Sequence, residues 1–425
     1  MTRQRLRSDI ADPALADDGA ARIARSERSM PVLRAIRTDF AQRRPLAGLT
    51  VAACLHVTAE TANLVGTLTA GGASVRLAAS NPLSTQDDVA AALAAQREVA
   101  VYARRGVPPA DYHEHLNAAI GPGPDLVIDN GCDLSVALHT DHPDLAAGVL
   151  AGCEDTPTGV LRLRAMAADG ALGYPVVALD DTPTRRLADH RHGTGQSCVD
   201  AILRSTNMLL AGRTVVVAGF GSVGRGVAER ARGMGANVVV TEVDPVAALD
   251  AVLSGYRVLP MALAAPEADV IVTATGNRDV VRGEHLEVLR SGAVLANAGH
   301  FDVEIDVRWL REHAVGVRAP RPAVQEFTLA GGRTVSLLAE GRIANLGAAD
   351  GNPAAVMDLA FAEQALTVAW LAGRSRLEVG VHRVPADVGS QVATLELASL
   401  GVGIDALSEV QRRYLSAWRQ GSWDS

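Results

Sequence analysis

The feature that most constrains this chain is a run of valines, Val215-Val216-Val217, that breaks through Ala218 into Gly219-Phe220-Gly221-Ser222-Val223-Gly224. An apolar strand that ends in GxGxxG and leads into a helix-forming stretch, Arg225–Arg232, predicts a buried parallel strand, a tight turn and a helix packed back on the strand. Gly219 makes the turn, Gly221 lets a pyrophosphate approach the backbone, and Gly224 lets the helix lie close on the strand. The helix N-terminus, with Ser222 and Val223, then faces the phosphates. The next apolar strand, Asn237-Val238-Val239-Val240, leads to Glu242, placed where a carboxylate accepts both hydroxyls of a ribose. A carboxylate there repels a 2′-phosphate, and no Arg follows it in Val243-Asp244-Pro245, so the cofactor is expected to be NAD rather than NADP.

Apolar β-rich runs alternate with helical stretches along the rest of the chain, in two series. The first runs from Leu49–Ala53 through a helix starting near Ala59 to Ser74–Leu77, Val99–Tyr102 and Asp125–Ile128, then past a helix at about Gly159–Ala168 to Val176–Leu179. The second runs from Arg213–Val217 through Asn237–Val240, Val270–Val272 and Ala293–Leu295 to about Leu346. Such alternation predicts an α/β chain of two Rossmann-like, doubly wound parallel-sheet domains joined by hinges. The polar stretch Asp180–Gly195 reads as the connection between them. A helix is expected from about Pro353 to Leu371, and a small C-terminal segment from Gly380 to Ser425.

Composition narrows the chemistry. All 40 basic residues are arginine and none is lysine, so a P-loop lysine, a pyridoxal Schiff base and a lysine general base are excluded. Codon bias in a GC-rich genome accounts for most of those arginines. With five Phe, five Tyr and four Trp, the cores must be built from Ala, Val, Leu and Ile, which suits sheets covered on both faces. A net charge of -8 with interspersed signs argues against a nucleic-acid partner. No stretch approaches the ~20 apolar residues of a membrane span, and the segment Met1–Pro13 has no apolar run, so a soluble, cytoplasmic protein is expected. Cys54, Cys132, Cys153 and Cys198 lack CxxC spacing and read as reduced. His113-Glu114-His115 and His139-Thr140-Asp141-His142 lack the i, i+4 spacing of a helical metal site; they read as surface loops, and no metal is expected.

Several strings are more particular than a generic dehydrogenase requires: Leu55-His56-Val57-Thr58-Ala59-Glu60-Thr61-Ala62, Ser84-Thr85-Gln86-Asp87, Gly193-Thr194-Gly195-Gln196-Ser197, Asn297-Ala298-Gly299-His300-Phe301-Asp302-Val303-Glu304-Ile305 and Leu338-Ala339-Glu340-Gly341-Arg342. In this order the chain resembles the adenosylhomocysteinase (S-adenosylhomocysteine hydrolase) family from about Asp12 to its C-terminus. The resemblance implies a substrate-binding domain over 1–183 and 350–378, an NAD domain over 195–346, an oligomerisation segment over 380–425, and a homotetramer. It also implies chemistry in which a sugar hydroxyl is oxidised to a ketone, the neighbouring C–H becomes acidic, the 5′ substituent leaves, water adds and the ketone is reduced again. By resemblance His56 serves the leaving group and the incoming water. Leu55, Thr58, Glu60, Gln86, Gly351, Asn352 and Met357 would line the nucleoside site, and His300 and Phe301 would form a channel gate. Thr156, Pro157, Thr158, Glu242, Thr275, Gly276, Asn277, Asn297, Ala298, Gly299, His300 and Asn345 would meet the cofactor.

The sugar shell departs from that family. The family's catalytic lysine, four residues before Asp189, is Arg185; the adjoining asparagine is His190; the catalytic aspartate is Asn130; and the ribose-binding glutamate is Asp155. A family histidine at the adenine end is Asn352, Ala247 stands for an asparagine near the cofactor ribose, and Tyr414–Trp418 ends as the short form, without a basic-aromatic tail. Arginine, with a pKa above ~12, cannot take a hydroxyl proton, and asparagine cannot shuttle one. Shortening Glu to Asp removes about 1.5 Å of reach. His190 beside Asp189 is the expected replacement base, with Arg185 a fixed cation near the alkoxide. These changes point to dehydration of an adenine nucleoside to an exocyclic alkene, as in antibiotics of the angustmycin (decoyinine) type. Hydrolysis of S-adenosylhomocysteine and an inactive NAD- or nucleoside-binding regulator remain as alternatives.

Overall fold

In the computed structural model, residues 7–180, 182–374 and 377–418 are described; the outer ends of the first and last expected segments lie outside them. Two eight-stranded sheets organise the described residues. The first is parallel throughout, in the order Asp9–Ile10, Val99–Ala103, Ser74–Ala79, Thr50–Leu55, Leu126–Asp129, Ala151–Glu154, Val176–Ala178, Val381–Arg383. The second runs Arg257–Val258, Asn237–Thr241, Thr214–Ala218, Val270–Thr273, Ala293–Asn297 and Thr334–Leu338 in parallel, then closes with the antiparallel strands Val324–Leu329 and Ala314–Arg321.

Both sheets are buried on both faces, as the unbroken apolar runs require. Val51, Ala53 and Leu55 pack in one core while Ala52 and Cys54 pack in the core on the opposite face. Val215 and Val217 likewise face away from Val216. In each sheet the chain order reverses beside one central strand, Thr50–Leu55 in the first and Thr214–Ala218 in the second. Side chains just past the carboxyl ends of such strands border a crevice, because the flanking helices diverge there. His56–Glu60 and Gly219–Gly224 follow these two strand ends.

Several expectations need correction. The polar stretch Asp180–Gly195 is helical: Arg185–Thr194 winds in wide π turns and continues into the helix Gly195–Thr206. Its buried face consists of Arg185, Asp189, Gly193 and Thr194, so apolar periodicity could not reveal it. Strands Asp9–Ile10, Ala151–Glu154, Arg257–Val258, Ala314–Arg321, Val324–Leu329, Thr334–Leu338 and Val381–Arg383 were not expected; four of them sit at sheet edges, and Val324–Leu329 pairs the edge strand Ala314–Arg321 to Thr334–Leu338. Helix Ala354–Ala372 is long and apolar enough to cross a membrane, contrary to the expectation of no such segment. It packs in the first domain's core instead, and Asp358 on it accepts the N–H groups of Val32 (2.9 Å) and Leu33 (2.7 Å).

The two histidine clusters lie on or beside helices Pro109–Ile120 and Asp133–Asp141 rather than on surface loops. Local contacts engage each ring: His113 meets Asp141 (2.9 Å), buried His115 meets Asp9 (3.0 Å), His139 meets the Ser135 carbonyl (2.6 Å) and His142 meets Asn117 (2.9 Å).

Glycines set the joint between the domains. A Cβ at Gly226 would stand 2.0 Å from the Arg191 carbonyl oxygen, and one at Gly195 would stand 2.5 Å from the Gly226 carbonyl carbon. Gly226→Ala should therefore separate the π segment from helix Ser222–Gly233 and destabilise the protein by about 1–3 kcal/mol. The check is a thermal melt, where a transition as high as the wild type's contradicts the expectation.

Candidate active site

A cleft of about 570 Å³ opens where the two strand-end crevices face each other. It is lined by most of the expected residues: Leu55, His56, Thr58, Glu60, Asn130, Asp155, Thr156, Pro157, Thr158, Arg185, Asp189, His190, Gly221, Ser222, Val223, Thr275, Gly276, Ala298, Gly299, His300, Asn345, Asn352 and Met357. It also takes in Asp180, Arg186, Thr194, Ile343, Leu346 and Phe361, which the sequence reading did not single out. The lining residues come from segments scattered from 55 to 361, and only folding brings them together.

On the cofactor side, Gly219 has φ +95°, and a Cβ there would meet the Ala274 carbonyl oxygen at 2.8 Å. Gly224 lies so close to the turn that a Cβ would fall 1.9 Å from the Gly219 carbonyl oxygen, whereas nothing stands within 4 Å of one at Gly221. The space a pyrophosphate needs is therefore open beside Gly221, at the N-terminus of helix Ser222–Gly233. Glu242 accepts the N–H groups of Phe220 (2.9 Å) and Asp244 (2.9 Å), which fixes its carboxylate beside the turn. Buried Asn345 Oδ1 and Thr158 Oγ1 lack partners among the described residues and border the same cleft. This open turn, with polar groups awaiting partners, fits a dinucleotide.

Four expected contacts differ. Asn297 is buried and fully engaged: it accepts from Thr273 (3.0 Å) and Gly299 N (2.7 Å) and donates to the carbonyls of Phe301 (2.7 Å) and Gly341 (2.9 Å). Gln86 accepts from Ala59 N (3.1 Å) and borders a neighbouring hollow rather than the cleft. Gly351 lines the adjoining hollow beside Gln196 and Ser197. Exposed Asn277 accepts from Arg278 N (2.9 Å) and lies off the cleft wall.

At one end of the cleft, His56 Nδ1 lies 2.8 Å from Ser84 Oγ and 3.0 Å from Ser80 Oγ. Burial, then the neighbouring His300, lowers its pKa to about 3, so the ring is neutral near pH 7. The two rings lie 5.8 Å apart, and burial lowers His300 to about 4. Gly131, at φ +109°, makes room for His300: a Cβ there would reach its Nε2 at 2.4 Å. Phe301 meets the His300 ring edge-on behind the wall, with Arg162 over its face. At the base end, Thr58 caps helix Ala59–Ala70, and Glu60 accepts from Ser26 (2.8 Å).

The sugar shell is an ionic network. Arg185 is 2% exposed. Its guanidinium pairs with Asp155, reaches Asp189 at 3.3 Å and donates to the Ala360 carbonyl at 3.2 Å. Burial opposes its charge, but Asp155, Asp189 and Glu363 outweigh that and hold it protonated. Asn130 donates to Asp155 (3.4 Å) and Asn352 to Asp189 (2.6 Å). Asn352 also accepts from Ser197 (2.7 Å) and Asn345 (3.2 Å), linking the sugar shell to the cofactor wall. His190 borders the cleft but makes no hydrogen bond to Asp189 among the described residues; Asp180 is a further carboxyl on the cleft wall, pushed above the usual carboxylate range by burial.

Glu304 lies outside the expected site set although it supports it. It accepts from Thr275 N (3.0 Å), Thr275 Oγ1 (2.6 Å) and Gly276 N (2.9 Å), and Gly299 leaves room for its carboxyl group. Glu304→Ala should free this loop and weaken NAD binding at least about tenfold. Equilibrium dialysis measures this, and an unchanged affinity would show that the loop holds itself.

Residues 7–149 match the family described as S-adenosyl-L-homocysteine hydrolase, and residues 190–351 match its NAD binding domain. The chain is 53% identical over 415 residues to the adenosylhomocysteinase of Aquifex aeolicus, covering 97% of this chain and 99% of that one. It is 47% identical over 422 residues to the adenosylhomocysteinase of Nostoc sp., covering 99% of each. The S-inosyl-L-homocysteine hydrolase of Methanopyrus kandleri is 49% identical over 415 residues, covering 97% and 98%. Two matching segments in order, relatives about half-identical from end to end and an open turn that fits a dinucleotide lead to one conclusion: this chain belongs to the S-adenosyl-L-homocysteine hydrolase family, with NAD as its cofactor.

Proposed function

We propose that this enzyme oxidises a sugar hydroxyl of an adenine nucleoside, expels the substituent on the exocyclic sugar carbon, and has a sugar site altered so that the substituent lost is water. The observation that carries the reading is the buried Asp155–Arg185–Asp189 network at the sugar end. A permanently charged guanidinium stabilises an alkoxide but takes no proton from a hydroxyl, so oxidation here needs another base. His190 lines the same cleft and is the kind of side chain suited to that task near neutral pH.

Gly219–Gly224, Glu242, Thr275 and Asn345 would hold the NAD. When bound, NAD accepts a hydride and later returns it, so no net oxidation results. His190 takes the hydroxyl proton, and Arg185 offsets the charge that develops on that oxygen. The ketone so formed acidifies the adjacent ring C–H. The neutral His56 ring takes that proton as the exocyclic C–O bond breaks and returns it to the departing oxygen, which leaves as water. Reduction of the ketone leaves an exocyclic alkene, one water lighter than the substrate. Thr58 and Glu60 hold the base end, and His300 with Phe301 shields the site from solvent.

Hydrolysis of S-adenosylhomocysteine is the second reading. Sequence similarity favours it over dehydration: adenosylhomocysteinases about half-identical to this chain match it over nearly its full length, and His56, Thr58 and Glu60 line the cleft. We also propose assembly into a homo-oligomer, supported by the exposed apolar face of helix Pro245–Leu253 at Val246, Leu249 and Leu253.

The deciding experiment incubates the NAD-loaded enzyme separately with S-adenosylhomocysteine, adenosine and a ketohexose adenine nucleoside. Loss of one water mass without thiol release supports dehydration, and thiol release supports hydrolysis instead. Failure of all three to reduce bound NAD or to admit solvent deuterium into the sugar would leave a binding protein. His190→Asn is expected to slow reduction of bound NAD by about 100-fold or more; an unchanged rate would remove His190 as the base.

A further inference from the structure

Behind the sugar shell, two carboxyl side chains end neighbouring strands. Asp129 and Glu154 are the last residues of Leu126–Asp129 and Ala151–Glu154, and they are register partners in that parallel pair. Both are buried. Asp129 accepts the N–H groups of Asn130 (3.0 Å) and Ser135 (2.8 Å), holding the turn that follows its own strand. Glu154 reaches across strands. Its Oε1 accepts the N–H groups of Gly131 (2.9 Å), Asp155 (3.0 Å) and Thr156 (2.9 Å).

One oxygen atom thus ties the turn that carries Asn130 to the turn that carries Asp155. Those two side chains meet in the cleft at 3.4 Å, and Asp155 in turn holds Arg185. Glu154 itself is absent from the cleft wall. The chain also reserves space for it: Gly159, in the first turn of helix Pro157–Ala168, would with a Cβ stand 2.2–2.4 Å from the three terminal atoms of the Glu154 carboxyl group.

We propose that Glu154 is a positioning residue of the sugar site, a carboxyl clamp that holds the Asn130 and Asp155 turns at the separation the Asp155–Arg185 pair requires. Burial, then the adjacent Asp129 carboxyl, pushes Glu154 well above the usual carboxylate range. The clamp therefore works through its accepting oxygen rather than its charge. A carboxamide offers the same acceptor to three N–H groups, whereas an alkyl side chain of similar size leaves all three without a partner.

The kinetic part of the test rests on the proposed nucleoside reaction; the exchange part does not. Glu154→Leu, Glu154→Gln and Gly159→Ala are compared with the wild type as NAD-loaded enzymes. Amide hydrogen exchange at Gly131, Asp155 and Thr156 and the rate of bound-NAD reduction by adenosine are followed. Glu154→Leu and Gly159→Ala should exchange at least about tenfold faster at those three amides and reduce NAD at least about tenfold more slowly. Glu154→Gln should restore both to within about threefold of the wild type. Wild-type exchange and rate in Glu154→Leu would overturn the proposal, as would a Gln variant as impaired as the Leu variant. If Glu154→Leu does not fold, the contrast between Gln and Gly159→Ala decides in the same way. If the wild type reduces no NAD with adenosine, S-adenosylhomocysteine or the ketohexose adenine nucleoside, the nucleoside reading fails and the exchange comparison still decides the clamp.

Discussion

A single buried guanidinium organises the site. Taking an arginine out of water costs several kcal/mol, so its place in the fold depends on partners for its charge; its terminal nitrogens have them, while Nε has none among the described residues. Asp155 comes from the end of a sheet strand, Asp189 from one turn further along the π segment, and the Ala360 carbonyl from the long helix of the second substrate segment. Each carboxylate is then reached by an asparagine, Asn130 on one side and Asn352 on the other. Through Asn352 the network extends to Ser197 and Asn345 at the cofactor wall. Sugar, hinge and cofactor sides are coupled by hydrogen bonds, so a change at one position alters the partners of the next.

The rest of the fold aims two strand-end crevices at one volume. The same chain reversal occurs beside Thr50–Leu55 and beside Thr214–Ala218, and each strand delivers its polar or glycine-rich continuation into the cleft. Glycines then set the close approaches: Gly131 admits His300, Gly159 admits Glu154, Gly299 admits Glu304, and Gly226 admits the π segment. These are contacts between parts distant in sequence. Without a Cβ at these positions the polar walls around the cleft can approach one another closely.

Much was legible in the order of residues because the signals were local. Val215-Val216-Val217 into Gly219-Phe220-Gly221-Ser222-Val223-Gly224 is a self-contained instruction for strand, turn and helix, and Glu242 follows at the end of the adjoining strand. Apolar runs likewise marked most of the central strands, but not Ala151–Glu154, whose four residues include a glycine and a buried glutamate. It missed the edge strand Asp9–Ile10 and the hairpin Ala314–Leu329, where one side of the strand faces water or a short partner and the pattern weakens. It also missed the helix over Arg185–Thr194, whose buried residues are charged or small.

The sequence by itself determined the chemistry available: no lysine anywhere, arginine and asparagine at two positions where a base was expected, and a turn built for a dinucleotide. Only the tertiary structure decided how those groups act together. It buried Arg185 between Asp155 and Asp189, brought His190 to the wall of the same cleft, and put Glu154 and Glu304 behind loops that line it. The reason is physical. Ionisation, ion pairing and hydrogen-bond satisfaction depend on distance and exclusion of water, and those are set by contacts between segments that the linear order leaves far apart.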